Sequence, residues 1–403
     1  MKRFVLVVFL SLLRLFSHAQ TTDNDTLIAG SQKDDFVTVS LLLASPGQSI
    51  YSVFGHCGLR LQCPSRHLDY VYTFEMEDGL SGYLKFFIGQ AKAGFAAVST
   101  SDYLSLYRKE GRGVTAYVIN LKPHEEQELW RMLDNDMVEG PHRKYNLIKN
   151  QCLSMSLLMI ESILDREYID FHRLPSIMYT YPNGKLVRFF SRKSPWATFI
   201  FMSFMGSEAD VLWDEEYRMS PETMPFILRH ARIVATYQHT SRPLLKGQPT
   251  VLVPTLMTLK PSWLTPTLFF GILLALTLML TFLQFTGRFG FLAHGFDVCL
   301  FGIQSVIGIL LLYVTLVTNL FGLHWNWYLI PFNPLPLVLW LAFSHKKLYM
   351  RVYSFYLLVL IIFIPLMFVC TEQADVAHAL FISLFAVRLL ANVIQRRQQT
   401  VRS

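Results

Sequence analysis

The stretch SVFGHCGLR, residues 52–60, decides the fold of the N-terminal part of the chain. Its two glycines permit close backbone approach, and apolar and polar residues alternate after them, which is typical of a strand that begins at a bend. Similar alternation at 70–74 and 113–119 predicts an antiparallel sheet within residues 36–121. His56, framed by the glycines at the edge of this sheet, is the best candidate for a general base.

A cysteine at the start of a predicted helix supplies a nucleophile for this base. Asn150 is typical of an N-cap, and the apolar spacing that follows predicts a helix over residues 151–164. Cys152 then lies in the first turn, where unpaired N–H groups and the helix dipole favour a thiolate. Because a catalytic base needs an orienting partner, we predict that Asp69, which opens the next strand, holds the ring of His56 across a hairpin.

The same residues allow other interpretations. His56, Cys57 and Cys63 form part of a zinc-like set, but their spacing and number are poor for zinc, so we predict no metal and no cofactor. Cys57 and Cys63 either pair with each other, which leaves Cys152 as the free thiol, or stay reduced. A small buried core residue is the structural alternative for Cys152.

The C-terminal third of the chain is predicted to lie in a membrane. The chain has 403 residues and is 52% hydrophobic. It contains 36 Lys and Arg residues and 29 Asp and Glu residues, and only 11 of all these charged residues come after position 262. A membrane span needs about 20 apolar residues. Five segments meet that requirement: 264–286, 296–319, 327–344, 352–371 and 376–395.

The distribution of basic residues predicts which loops of this membrane domain face the cytoplasm. Basic residues cluster at Arg288, at 346–351 and after Arg396, and the positive-inside rule assigns these loops to the cytoplasm and the soluble part to the other side. That soluble part is nearly neutral, which argues against nucleic-acid binding. The predicted domains are a secretory signal peptide at 1–19, an extracytoplasmic catalytic domain at 20–240, a linker at 241–262 and a transmembrane domain at 263–403.

Three smaller features complete this prediction. The apolar run 195–206 is too short to span a membrane, so it is either buried in the core or placed at the membrane interface. Arg388, within the last span, is predicted to extend toward the cytoplasmic side. Asp297 is predicted to cap the start of the second span.

Several of these motifs resemble those of the Lnb family, bacterial lipoprotein N-acyltransferases with a periplasmic domain before several membrane helices. The resemblance rests on residues 52–60 followed by Asp69–Tyr72, on Tyr145–Cys152, on Asp210, and on His324, Asn326-Trp327 and Asn333–Leu335 of the membrane part. The family usually has asparagine directly before the cysteine, where this chain has Gln151, and Cys57 after the histidine is also unusual.

The resemblance implies a fold and a reaction. The fold is α+β, a papain-like domain in permuted order, with the histidine strand before the cysteine helix, followed by a transmembrane bundle of about five helices. The reaction moves an acyl chain from a phospholipid, through a Cys152 thioester, to the α-amine of a diacylglyceryl-cysteine lipoprotein at the inner membrane, with His56 as base. We predict substrate contacts for Arg60, Asn150, Gln151, Asp210, His324 and Asn326.

Two other functional classes fit the residues. A membrane-anchored cysteine peptidase or amidase that acts on cell-wall peptide uses the same Cys/His pair. A catalytically inert membrane scaffold is the second alternative, and the glutamine at position 151 favours it. Hydrolysis of a synthetic peptide would favour the peptidase, and failure to form any covalent acyl adduct would favour the scaffold.

Overall fold

The computed structural model describes residues 37–50, 52–76, 85, 90–145, 150–171, 181–212, 222–237, 240–260, 262–317, 325–335 and 346–402. These residues belong to one compact unit. The predicted signal peptide and His324 lie outside the described residues.

Two antiparallel sheets form the soluble part. The strands, in chain order, are β1 (Thr38–Ala44), β2 (His56–Cys63), β3 (Leu68–Met76), β4 (Lys92–Ser99), β5 (Val114–Val118), β6 (Arg143–Lys144), β7 (Glu167–Asp170), β8 (Arg232–Ala235), β9 (Ser241–Pro243) and β10 (Thr250–Val253). Within the described residues, the larger sheet has seven strands in the order β10-β5-β1-β2-β3-β4-β6, and the smaller one has the order β7-β8-β9.

Six described helices surround the sheets. They are α1 (Thr100–Glu110), α2 (Pro123–Glu139), α3 (Cys152–Ser162), α4 (Asn183–Ser191), α5 (Pro195–Phe204) and α6 (Met224–His230). The alternation in β2 decides how they pack, because Leu59 and Leu61 point to one face and are almost fully buried there, together with Leu157 of α3. Tyr103 and Tyr107 of α1 pack on the opposite face. The sheet therefore lies between the cysteine helix and α1, as expected for an α+β domain.

The segment predicted as a linker is partly built into these sheets. Strand β9 pairs with β8, and β10 pairs with β5 at the edge of the larger sheet. The prediction of a linker from 241 is therefore corrected, since Val253 is 2% exposed and belongs to the core that α1 covers. The apolar alternation of four residues in β10 is too short to distinguish a strand from a linker by sequence.

Four long apolar helices follow. They are α7 (Pro266–Phe285), α8 (Gly290–Val317), α9 (Lys346–Cys370) and α10 (Val376–Arg402), and each contains a stretch long and apolar enough to cross a membrane. The predicted third span, 327–344, is described only at its start, where Trp327–Leu329 form a short 3-10 helix and residues up to 335 continue irregularly. The described part of the chain thus contains four of the five predicted spans.

A buried ion pair connects three of these helices. Arg388 of α10 is 0% exposed and donates two hydrogen bonds to Asp297 of α8, at 2.5 and 2.9 Å, and a third to Thr281 of α7 at 2.8 Å. Asn392 donates to the same carboxylate at 2.9 Å. Both predictions for these residues are wrong: Arg388 does not extend to the cytoplasmic side, and Asp297 lies inside α8 rather than at its cap, because each satisfies the other's buried charge.

Helix α5 joins the soluble domain to the membrane helices. On one side Phe201 contacts Phe54, in the turn before His56, with ring centroids 5.1 Å apart. On the other side Phe199 stacks on His378 of α10 at 4.3 Å. The apolar run 195–206 is therefore neither a free interfacial element nor part of the sheet's own core, because its two faces pack against the two parts of the molecule.

A polar network surrounds this joint. His378 is 0% exposed and lies within hydrogen-bond distance of Ser203 Oγ, at 2.9 Å, and of Asp375 Oδ1, at 2.8 Å. Arg188 of α4 donates to the backbone carbonyl of Glu372 at 2.8 Å and lies 3.3 Å from Asp375. The loop between α9 and α10 thus contacts the soluble domain directly, on the side that the charge pattern assigns to it.

Candidate active site

Cys152 is the first residue of α3 and packs, partly buried, against the core between α3 and the larger sheet. The N-cap is Gln151, whose side-chain oxygen accepts a hydrogen bond from the N–H of Leu153 at 2.8 Å, while its own N–H donates to Ser154 Oγ at 3.1 Å. The prediction of Asn150 as the N-cap is therefore wrong by one residue. Asn150 instead donates to the carbonyl of Lys144 at 3.1 Å. Glutamine, although an infrequent cap, is long enough to reach back to the first free N–H groups.

His56 reaches the same point from the sheet. Strand β2 begins with His56, which pairs with Ala44 of β1. Gly55 has a φ of 90°, a left-handed conformation that L side chains rarely adopt, and its N–H donates to the carbonyl of Ser52 at 2.9 Å. This turn places the imidazole of His56 near Cys152, close enough for the two groups to shift each other's pKa. The glycine that framed the histidine in the sequence thus permits the bend that positions it.

His56 and Cys152 shift each other's pKa in opposite directions. A hydrogen bond from the Cys57 thiol and the charge of His56 outweigh burial and hold the pKa of Cys152 well below its usual range. Burial opposes protonation of His56, but the adjacent Cys152 raises the pKa of its ring overall. Both directions favour a thiolate and an imidazolium held together, which is the resting state of many cysteine nucleophiles.

Cys57 is a third member of this arrangement. Its side chain is 0% exposed and points toward α3, where its Sγ lies 3.4 Å from Ser156 Oγ. The thiol and the backbone N–H of Cys57 both contribute to the lowered pKa of Cys152. Burial, followed by the interaction with Cys152, raises the pKa of Cys57 well above its usual range. Cys57 therefore stays protonated and donates to its neighbour.

The structure places Asp69 away from His56 and corrects its predicted role. Asp69 accepts two hydrogen bonds from Arg60, at 2.7 and 2.6 Å, and one from Thr100 at 2.6 Å. It is opposite Gln62 in the β2–β3 register. That position is six residues from His56 along the strand, or about 20 Å at a rise of ~3.3 Å per residue. Arg60 holds the pKa of Asp69 below its usual value, against the opposing effect of burial.

Glu75 lies nearer to the histidine than Asp69 does. The register that pairs Leu59 with Tyr72 brings Glu75 of β3 alongside His56, and its charge raises the pKa of His56. Its carboxylate accepts a hydrogen bond from Thr73 Oγ1 at 2.6 Å. Sequence reasoning missed this residue. Glu75 ends the alternating run that begins at Tyr70, so the alternation would have allowed its face of the strand to be assigned.

The residues predicted to bind substrate fall into separate groups. Gln151 lies beside the sulfur of Cys152, with Oε1 3.6 Å from it. Asp210 accepts a hydrogen bond from the N–H of Glu372 at 2.6 Å, and Asn326 donates to the carbonyl of Ser203 at 2.9 Å. Asp210 and Asn326 therefore belong to the joint with the membrane helices, whereas Arg60 is held by its carboxylate partner and Asn150 by β6.

The described residues contain no group of three or more His, Cys, Asp or Glu side chains placed to hold a metal ion. All five cysteines are free thiols in the structure. Cys57 and Cys63 lie six residues apart on one face of β2, which separates their side chains by far more than a disulfide allows. The possible Cys57–Cys63 pairing left open by the sequence is therefore not formed.

Comparison with known families covers both parts of the chain. A model described as the Lnb N-terminal periplasmic domain matches residues 28–179, and one described as the Lnb transmembrane domain matches residues 258–400. No curated protein and no solved structure matches the chain. The two matched ranges cover most of the sequence and make it a membrane protein with a periplasmic domain, and the chain therefore belongs to the Lnb family.

Proposed function

We propose that this protein is a lipoprotein N-acyltransferase that moves an acyl chain from a phospholipid, through a thioester on Cys152, to the α-amine of a diacylglyceryl-cysteine lipoprotein. Membership of the Lnb family implies a function of this general kind. The observation that carries the mechanism is the electrostatic pairing of His56 with Cys152 at the start of α3, which lowers the pKa of the thiol and raises that of the imidazole.

The first half-reaction acylates the enzyme. The Cys152 thiolate attacks the ester carbonyl of the phospholipid, the ester C–O bond breaks, and the imidazolium of His56 gives its proton to the departing lysophospholipid alkoxide. The N–H of Cys152 at the start of α3 stabilises the oxyanion, a contribution of about 3 kcal/mol for one donor. The products are a thioester on Cys152, a lysophospholipid and a neutral His56.

The second half-reaction transfers the acyl chain. The α-amine of the lipoprotein attacks the thioester, His56 accepts the amine proton, and the Cys152 thiolate leaves. This step restores the initial ion pair, so one histidine acts first as acid and then as base. No group beyond those described is needed to balance the protons.

The surroundings of the pair support lipid substrates. A cavity of about 270 Å³ adjoins the turn that carries His56 and is lined by Ser45, Val53, Arg192 and Lys193, among others. Arg192 pairs with Glu222 of the same lining at 2.8 Å, so Lys193 is the cationic side chain there that suits an anionic headgroup. The joint through α5 keeps the domain next to the membrane helices, where an acyl donor and a lipid-anchored acceptor both reside.

Mass spectrometry of the intact full chain, incubated with phospholipid alone, tests the proposal. We expect an acyl mass on Cys152 that hydroxylamine removes, and its loss in Cys152→Ala. His56→Ala should lower the rate of acyl transfer about 10²- to 10⁴-fold. Cleavage of a cell-wall peptide without any acyl adduct would favour the peptidase, and full acyl transfer by Cys152→Ala would end the thioester mechanism.

The pH dependence of alkylation tests the ion pair separately. Because the pKa of Cys152 is lowered, iodoacetamide should react with it at pH values where an ordinary thiol is protonated. His56→Ala removes the stabilising cation, so the midpoint of the alkylation rate should move to higher pH. A midpoint that stays in place would show that His56 does not stabilise the thiolate.

A further inference from the structure

The candidate active site contains a second thiol, that of Cys57, which lies close to Cys152. Cys57 Sγ lies 3.4 Å from Ser156 Oγ, and Ser156 is one helical turn after Cys152 on the same side of α3. Each of the two thiols also shifts the pKa of the other, that of Cys57 upward and that of Cys152 downward. The two sulfur atoms are therefore neighbours, although 95 residues separate them in the sequence.

The two thiols differ in access and in charge. Cys152 is half-buried and reaches solvent, whereas Cys57 is 0% exposed. Oxidation by a peroxide requires a thiolate that solvent reaches, and Cys152 meets both conditions. Cys57 meets neither, but it needs no contact with solvent to react with an oxidised sulfur atom beside it.

We propose that Cys57 is the resolving thiol of Cys152, and that a peroxide converts the pair into a Cys57–Cys152 disulfide that reversibly blocks the nucleophile. In the first step the Cys152 thiolate attacks the peroxide, the O–O bond breaks, and Cys152 becomes a sulfenic acid, while the imidazolium of His56 gives its proton to the departing hydroxide or alkoxide, which leaves as water or an alcohol. In the second step Cys57 sulfur attacks the sulfenic sulfur, the S–O bond breaks, and the Cys57 proton leaves with the hydroxyl group as water.

This pair protects the nucleophile from permanent damage. A sulfenic acid without a neighbouring thiol reacts further to sulfinic acid, which thiol reductants do not reverse. The inference rests on the proposed function only where it says that acyl transfer stops. The formation of the disulfide depends on the solvent-accessible thiolate of Cys152 and on the position of Cys57 beside it, and it does not require acyl transfer.

The test uses the full chain in detergent, treated with hydrogen peroxide, alkylated, digested and mapped by mass spectrometry. We expect a peptide pair linked through Cys57 and Cys152, with the loss of two hydrogen atoms, which dithiothreitol separates. Cys63→Ala is the matched control, because Cys63 is equally buried on the same strand face and contacts Ser65 rather than Cys152. It should form the same linked pair.

Cys57→Ala should form no linked pair, and its Cys152 should accumulate sulfinic acid. Acyl transfer by the wild type should return after dithiothreitol, whereas acyl transfer by oxidised Cys57→Ala should not. A wild type in which Cys152 is overoxidised while Cys57 stays free, or a link between Cys57 and Cys63, would overturn the proposal. A linked pair in a protein that never transfers acyl groups would leave this inference intact and remove the proposed function.

Discussion

The buried pair of Arg388 and Asp297 allows a prediction with a defined magnitude. Asp297→Asn preserves the size of the side chain but leaves the guanidinium of Arg388 without its counter-charge, between α7, α8 and α10. Removal of one partner from a buried ion pair destabilises a protein by about 3–5 kcal/mol. Asn392 also donates to this carboxylate, and a weaker hydrogen bond to the neutral amide adds a further cost of up to about 1 kcal/mol. We therefore expect Asp297→Asn to lower the free energy of unfolding by at least 3 kcal/mol.

The double variant distinguishes a buried charge from a simple loss of packing. Arg388→Met with Asp297→Leu replaces both charges by apolar groups, which is often nearly neutral for a buried pair. Its free energy of unfolding should therefore lie above that of either single variant. The double-mutant cycle then gives a large coupling energy, measured by unfolding in mixed detergent micelles.

An exposed pair in the same chain serves as the control. Glu128 and Arg131 of α2 form an ion pair with side chains 42% and 60% exposed. Glu128→Gln should cost less than about 1 kcal/mol because solvent screens this pair. If Asp297→Asn cost no more than Glu128→Gln, or if the double variant were as unstable as both single variants combined, the pair would not be a desolvated contact and the reasoning would fail.

Three further variants test the corrected geometry. Asp69→Asn should cost about 1 kcal/mol in unfolding free energy and retain acyl transfer, because Asp69 lies about 20 Å from His56 along the strand; a drop in rate beyond about tenfold would contradict this. Gln151→Ala should lower stability by about 1 kcal/mol in thermal unfolding, whereas Gln151→Asn should retain most of it, and equal stability of the two would argue against the cap. Gly308→Ala should cost about 1–3 kcal/mol, since its Cβ would lie 2.7 Å from the carbonyl oxygen of Phe332, while Gly302→Ala, which meets nothing within 4 Å, should not be destabilised.

Sequence alone could locate those residues whose structural position is determined by their immediate neighbours in the chain. Cys152 follows an N-cap at the start of an apolar helical pattern, and His56 follows a glycine that allows a bend, so each position is visible within about ten residues of sequence. The N-cap itself was misplaced by one residue. Propensity favours asparagine, and only the observed reach of Gln151 to Leu153 decides between the two.

The residues that sequence reasoning misplaced depend on strand register or on distant partners. The connection 64–67 pairs Gln62 with Asp69, and this register moves Asp69 away from His56 and places it diagonally across from Arg60. A different connection length would shift every pair, and nothing local determines it. Asp297 and Arg388 are separated by 91 positions, so their contact follows only from the packing of the helices.

The placement of α5 bears on how this protein is divided for experiment. An excised periplasmic domain would expose Phe199 and Trp196 to water, because their ring partners are Phe269, Phe270 and His378 of the membrane helices. The isolated membrane part would in turn leave His378 without Phe199 and without the hydroxyl of Ser203. A fragment cut between β10 and α7 would also loosen Phe201 from the turn at Phe54 that positions His56. Separate expression of the two halves would therefore yield a soluble fragment with exposed apolar rings and a less stabilised Cys152 thiolate. The activity of either half should therefore be measured in the full chain.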